Sequence, residues 1–276
     1  MGQGSSLNQC LQQFLSKEEI AQVPSSFDIV GDILIFADFP KLKNERRIAE
    51  CFLKHLKQVK VVCKKTKQYS GVFRTPKLKI LAGEQRKETT HRENGCAIRL
   101  NVETCYFSPR MSNERKRIAS LVVPKEKILV MFSGVGPYPL VIAKNAKPNL
   151  VYGVEKNPKA HKYAEENLRT NKAKTILLFR GDVKTIVPKL KTGFDRVVMP
   201  HPKDAESFLN ITLPRVKKGG TLHYYDFARE AEFKEVAEKV VKACRQRKRK
   251  CRILKIVKCG QYSPRVYRVC VDARIF

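Results

Sequence analysis

The stretch KILVMFSGVGPYPLVIAKNAKPNLVYGVEKNP, from Lys127 to Pro158, constrains the fold more than any other part of the chain. Ile128 to Phe132 is an unbroken apolar run, the pattern of a parallel strand buried on both faces. Ser133-Gly134-Val135-Gly136-Pro137 makes a turn, and a helical segment follows it to Lys147. A second apolar run, Val151 to Val154, ends in Glu155. Strand, glycine turn, helix, strand and acid, in that order, are the layout of a nucleotide-binding α/β unit. Glycines let main-chain amides approach a ligand closely, and a carboxylate ending the second strand can hold ribose hydroxyls. The turn reads G-x-G-P-aromatic, which sets it apart from the dinucleotide fingerprint G-x-G-x-x-G.

The alternation continues to the C-terminus. Strands are expected at 128–132, 151–154, 175–179, 194–199 and 220–225, with a closing antiparallel pair at 251–258 and 266–275. Helices are expected at 138–147, 158–171, 203–215 and 231–247. This spacing predicts an α/β domain over 116–276, built on a mostly parallel seven-stranded sheet with helices on both faces. Residues 25–115 read as a small α+β domain. It has two strands around Gly31-Asp32, an amphipathic helix over 44–59 with Ile48, Cys51, Phe52 and Leu56 on one face, and strands at 59–64, 78–81 and 97–102. Residues 1–24 form a short helical lead-in carried by Leu7, Leu11, Phe14 and Leu15, and 113–122 a linker helix.

Charge narrows the class of partner. The 56 Lys and Arg against 26 Asp and Glu leave +30. An excess of that size points to a polyanion, because each phosphate neutralised releases condensed counterions, and it favours nucleic acid over a membrane surface. Cations crowd 54–88, among them Lys64, Lys65, Lys67 and Arg74. A second cluster, Arg245-Gln246-Arg247-Lys248-Arg249-Lys250, suits a helix C-terminus and equally a phosphate contact. No apolar run approaches the roughly 18 residues of a membrane span, and the N-terminus lacks a signal-peptide layout. The nine cysteines contain no C-x-x-C. They read as small hydrophobes in a reducing cytoplasm, with no metal site. With no apolar helix face left over for a dimer, a monomer is expected.

Eight motifs occur in a fixed order: YFSPRMSNER (106–115), FSGVGPY (132–138), VEKNP (154–158), ENLRTNK (166–172), GDV (181–183), VVMPHPKDAESFL (197–209), GGTLHYY (219–225) and QYSPRVYRV (261–269). Over about residues 25–276 the chain resembles the archaeal and eukaryotic tRNA guanine-37 N1-methyltransferases, with FSPR-x3-ER ahead of FSGVGP as the most specific element. The resemblance implies a Rossmann-like class I methyltransferase domain that uses S-adenosyl-L-methionine (AdoMet). It also implies an upstream domain that positions the tRNA anticodon stem-loop.

Guanine N1 is a poor nucleophile while protonated, so transfer needs its proton removed and the charge developing on O6 stabilised. By the resemblance, Glu114 is the general base, Arg74 the cation near O6, and Pro200 part of the base site at the exit of the fourth strand. Phe132, Ser133, Gly134, Gly136 and Pro137 line the methionine side of AdoMet, Glu155 binds the ribose hydroxyls, and Asp182 reaches the adenine amino group. Arg110, Lys203, Arg247, Lys248 and Arg249 contact RNA. Two departures stand out: Val130 where relatives carry Asp, and Pro200-His201-Pro202 where many carry Asn-Leu-Pro. The target therefore stays open between N1 of guanosine-37 and C7 of the wyosine precursor 4-demethylwyosine, alone or in addition. Transfer of the aminocarboxypropyl arm of AdoMet, and RNA binding without catalysis, are the remaining readings.

Overall fold

A computed structural model describes residues 3–40, 42–200 and 204–276. The chain divides into two compact units, one holding residues up to 92 with 98–109, the other holding 93–97 with 110–276.

The first unit begins with α1 (Gln3–Gln12) and α2 (Lys17–Gln22), followed by β1 (Phe27–Val30), β2 (Ile33–Phe36), α3 (Glu45–His55), β3 (Val61–Ser70) and β4 (Thr75–Gly83). These strands form one sheet in the order β1-β2-β3-β4. The pairs β1–β2 and β3–β4 are antiparallel, while β2 and β3, joined through α3, are parallel. Gly31 turns the first hairpin at φ 58°, and a Cβ there would lie 2.1 Å from Thr89 Oγ1. Leu11 and Leu15 are buried in one core with Leu34, Phe36, Ile48, Phe52 and Val62, so the leading helices are part of this unit's packing. Cys10 on α1 and Cys51 on α3 form a disulfide with Cα atoms 5.9 Å apart. That corrects the reading of every cysteine as a free thiol. The pairing depends on two helices packing together, which cysteine spacing does not reveal. A polar strand, β5 (Glu88–Glu93), which the sequence pattern did not predict, pairs with β6 (Cys96–Asn101).

The second unit carries α4 (Ser112–Ser120), β7 (Lys127–Met131), α5 (Pro137–Asn145), β8 (Leu150–Glu155), α6 (Pro158–Thr170), β9 (Ile176–Arg180), α7 (Val183–Ile186) and β10 (Phe194–Met199). It continues with α8 (Leu209–Thr212), β11 (Val216–Ala228), α9 (Phe233–Gln246), β12 (Cys251–Ser263) and β13 (Val266–Ile275). The expected seven-stranded sheet is present in the order β12-β13-β11-β10-β7-β8-β9. Strands β7 to β11 run parallel, and β13 is antiparallel to β11 and β12. From β7 the chain winds outward through β8 and β9, then crosses to β10 on the other side. The crevice that binds ligands in open α/β sheets lies at such a reversal, outside the strands' carboxyl ends. Here it falls at Phe132 and Pro200.

Alternate residues on each strand face opposite sides. Leu129, Met131, Val197, Met199, Leu222 and Tyr224 join Val236, Ala237 and Val240 of α9 in one apolar core. The intervening residues Arg196, His223 and Tyr225, together with Asp272 on β13, are buried on the opposite face and are polar. The single helix expected over 203–215 is instead a succession of short turns around α8. Asp204 takes φ 56° at its start, and Pro214 stands in the final 3-10 turn, Leu213–Arg215. Among the described residues, no helix is long and apolar enough to cross a membrane.

Candidate active site

At the carboxyl end of β7 the backbone turns sharply. Phe132 adopts φ 55°, Gly134 57° and Gly136 88°. A left-handed Phe costs of order 1–3 kcal/mol and persists where the surroundings over-determine it, typically at functional sites. Ser133 N–H donates to Val154 O at 2.9 Å, which ties the turn to β8. Gly136 is the N-cap of α5 and Pro137 its first residue, where a missing N–H costs nothing. Glu155, ending β8, accepts Gly134 N–H at 2.7 Å and Asn157 N–H at 2.6 Å. Burial pushes its carboxyl up from the ordinary range, against the pull of these main-chain donors. The Ser133 hydroxyl is buried and has no hydrogen-bond partner among the described residues.

These features fit a nucleoside cofactor. The two Glu155 oxygens can take about four hydrogen bonds, and the Gly134, Asn157 and Lys156 main-chain groups do not exhaust them, so capacity remains for a ribose hydroxyl. The unpartnered Ser133 hydroxyl belongs to the same turn, and a buried polar group without a partner calls for a polar ligand. Asp182, one strand further, caps α7 through Lys184 N–H at 2.8 Å and pairs with Lys156 Nζ at 2.8 Å. The Lys156 ammonium holds its carboxyl below the usual range.

A second set of groups gathers behind α4. Glu114, 5% exposed, accepts from Arg117 through both oxygens at 2.7 Å and from the Tyr225 hydroxyl at 2.5 Å. Tyr138, second residue of α5, donates its hydroxyl to Tyr225 at 3.2 Å. Arg117 also contacts both oxygens of Asp272, at 2.7 and 3.3 Å. Asp272 Oδ1 lies 2.6 Å from His223 Nδ1, and His223 Nε2 lies 2.7 Å from Arg196. Arg196 is fixed in turn by both oxygens of Glu126, at 2.7 and 2.9 Å, and by Leu121 O at 2.5 Å. Burial pushes His223 down from its ordinary value despite the adjacent carboxylate. Burial opposes ionisation of Asp272 too, but the bonds from His223 and Arg117 prevail and hold its carboxyl well below the usual range. The two directions agree on a neutral imidazole donating to an anion. His223, Cys270 and Asp272 offer ligand atoms within 4.8 Å of one another. The guanidinium groups of Arg117 and Arg196 bond to two of the three residues, and their charge opposes a metal ion there.

The remaining sequence-expected residues are dispersed. Arg74, in the first unit, takes φ 50° in the turn between β3 and β4, its guanidinium 5.6 Å from the Tyr106 ring. Arg110 is exposed in a 3-10 turn, Pro109–Met111, and Pro200 is half-buried after β10. Lys203, with His201 and Pro202, lies outside the described residues. Arg247 and Lys248 are exposed at the end of α9. Arg249 has a structural use. Its guanidinium donates to the main-chain oxygens of Leu213 at 2.5 Å, Val216 at 2.6 Å, and Lys217 and Phe276 at 3.3 Å. Val130 is fully buried in β7, paired in register with Val198 and Gly153. Sequence reasoning missed Arg117, Tyr225, His223 and Asp272. His223, Tyr225 and Asp272 had a signal, as polar residues at core positions of LHYYD and VCVDA, whereas Arg117 reads as one of several cations in SNERKRIAS.

Comparison with known proteins gives this geometry its context. The model of the TRM5/TYW2 methyltransferase domain matches residues 89–254, and that of the TYW2 N-terminal domain matches 7–86. The chain belongs to the TRM5/TYW2 methyltransferase family. Family members are AdoMet-dependent transferases that modify tRNA. The chain is 35% identical to the tRNA (guanine(37)-N(1))-methyltransferase Trm5b of Pyrococcus abyssi, over 92% of its own length and 76% of the relative's. The crystal structure of that Trm5b superposes with a TM-score of 0.86, at 34% identity, covering 95% of this chain and 78% of the other. The bifunctional tRNA (guanine(37)-N(1))/4-demethylwyosine(37)-methyltransferase Taw22 of Nanoarchaeum equitans is 34% identical, over 90% of this chain and 98% of the relative. A tRNA(Phe) (4-demethylwyosine(37)-C(7)) aminocarboxypropyltransferase of Methanocaldococcus jannaschii is 33% identical, over 89% and 96%.

Proposed function

We propose that this TRM5/TYW2 member transfers the methyl group of AdoMet to N1 of guanosine-37 in the tRNA anticodon loop. The observation that supports the reading is the line of hydroxyls from the cofactor turn to an acid. Tyr138 is the second residue of the helix that begins at the glycine turn, and two hydrogen bonds lead from it to the Glu114 carboxylate. A proton acceptor thus stands beside the element that would cradle the sulfonium donor.

In this reading the turn from Phe132 to Pro137 wraps the methionine end of AdoMet, Glu155 accepts from the ribose hydroxyls, and Asp182 accepts from the adenine amino group. AdoMet supplies an electrophilic methyl. As N1 attacks, the N1–C bond forms, the C–S pair goes to sulfur, and the N1 proton goes to Glu114. Arg74 offsets charge developing on guanine O6. Pro200, at the end of β10, borders the base. Arg110, Lys203, Arg247 and Lys248 contribute cations for the RNA backbone, in keeping with the +30 net charge. Arg249 is better assigned to holding the β11 entrance.

A second reading, transfer to C7 of the wyosine precursor, is favoured by the match to the TYW2 N-terminal domain and by the near-complete coverage of the two wyosine-linked relatives.

The test of the base assignment is single-turnover methyl transfer to a guanosine-37 transcript. Removing a general base typically costs about 10²–10⁴-fold, so Glu114→Gln is expected to lose that much. Wild-type activity in the variant contradicts the assignment.

A further inference from the structure

Glu114 presents two oxygens that are not equivalent. A carboxylate oxygen accepts two hydrogen bonds in its plane. Oε1 takes both the Tyr225 hydroxyl, at 2.5 Å, and Arg117 Nη2, at 2.7 Å. Among the described residues, Oε2 takes Arg117 Nε alone, at 2.7 Å. We propose that Tyr225 and Arg117 are positioning residues that saturate Oε1 and leave Oε2 as the atom that receives the substrate proton. This inference rests on Glu114 being the base.

The donors around this carboxylate are fixed in direction. Tyr138 donates into the Tyr225 oxygen at 3.2 Å, so the one proton of Tyr225 is directed to Glu114. Both tyrosines are buried, and burial pushes each phenol up from its ordinary value, which keeps it protonated as a donor. Arg117 is clamped from the other side by Asp272 at 2.7 Å. Arginine has no acceptor, so the His223 nitrogen facing Arg196 accepts and the one facing Asp272 carries the proton. Asp272 is thereby held by Arg117 and His223 together, and Arg196 by Glu126 and Leu121 O. Every named member is satisfied, the condition under which a buried polar network rigidifies its surroundings instead of weakening them. It spans α4, β10, β11 and β13 and includes a residue of the cofactor helix α5. A carboxylate free to rotate would present either oxygen to substrate, whereas this one presents only Oε2.

The proton passes from N1 to Oε2 as the N1–C bond forms and the C–S electron pair goes to sulfur. Tyr225 and Arg117 lose no proton in the step.

The test is a double-mutant cycle on the single-turnover rate, with AdoMet and tRNA saturating. Tyr225→Phe keeps the ring and removes one hydrogen bond to a charged group, so a loss of roughly tenfold is expected, with AdoMet affinity unchanged. In the Glu114→Gln background the same change should cost about twofold or less, because its effect runs through the carboxylate. Arg117→Lys should recover part of what Arg117→Met loses. Thermal melting of each variant identifies any that fail to fold. Equal slowing by Tyr225→Phe in both backgrounds assigns it a purely structural role and overturns the proposal, as does a loss confined to AdoMet affinity. Where Glu114→Gln is too slow to measure, that split between rate and affinity decides. Wild-type activity of Glu114→Gln is a separate result, which removes the base assignment itself.

Discussion

Replacing Glu155 by Gln tests the cofactor site at its anchor. Glu155 accepts main-chain N–H groups, among them Gly134 at 2.7 Å and Asn157 at 2.6 Å, with Lys156 also contributing, and its two oxygens keep room for a further donor. Gln offers one carbonyl oxygen and one NH2. The NH2 meets an N–H donor on one side and a ribose hydroxyl on the other, and it accepts from neither. Hydrogen bonds to a charged group contribute about 1.5–3 kcal/mol each. The main-chain bond shapes the turn before AdoMet arrives, so its loss appears in stability. The ribose bond exists only with AdoMet present, so its loss appears in affinity, as a fall of roughly 10–100-fold at 1.4 kcal/mol per decade. Isothermal titration of the variant with AdoMet reads this directly. An unchanged dissociation constant refutes Glu155 as the ribose acceptor.

The same residue gives a pH dependence with a definite sign. Burial raises the Glu155 carboxyl, so it protonates at higher pH than an exposed carboxylate. Ribose hydroxyls donate best to the anion, so AdoMet affinity should decline on acidification before exposed carboxylates titrate. Its contribution to folding stability runs the other way. A folded-state value raised above the unfolded one favours the neutral acid in the native protein, so that contribution is complete at low pH and is lost as pH rises through the folded value.

Two further outcomes follow from buried contacts. The Arg115 and Glu93 side chains are each 3% exposed and joined at 2.5 Å through both oxygens, so Arg115→Ala takes both of these charge-assisted bonds from a buried carboxylate. That should cost about 3–5 kcal/mol, read as a lower denaturation midpoint, and a midpoint unchanged within error contradicts the burial argument. The Cys10–Cys51 disulfide spans 41 residues, and loop-closure entropy assigns it roughly 4 kcal/mol, so reductant should lower the melting temperature of the wild type and leave Cys51→Ser unaffected.

The sequence made the sheet legible wherever burial on both faces produced unbroken apolar runs, as at Ile128–Met131 and Val197–Met199. The glycine turn and Glu155 were legible because all their determinants lie within one β-α-β unit. Local pattern failed where structure depends on distant partners. Glu114 meets Tyr225 across 111 positions, and Arg117 meets Asp272 across 155. Strand β5, ETTHRE, has no apolar alternation of its own and exists because it pairs with β6. The missed local signal there was Asn94-Gly95, whose φ angles of 45° and 78° are those of a hairpin turn between twisted strands. The broken helix after β10 carries Pro214, where a helix-period reading alone had extended through.

The most direct measurement is the identity of the nucleoside formed at position 37. A tRNA transcript carrying guanosine-37 and a matched transcript carrying another base there are incubated with the protein and AdoMet, digested, and read by mass spectrometry. A guanosine-37 N1-methyltransferase yields 1-methylguanosine from the first and nothing from the second. An unmodified guanosine-37 under conditions in which tRNA bearing 4-demethylwyosine is modified would contradict the assignment and move the chain to the wyosine-linked branch of its family.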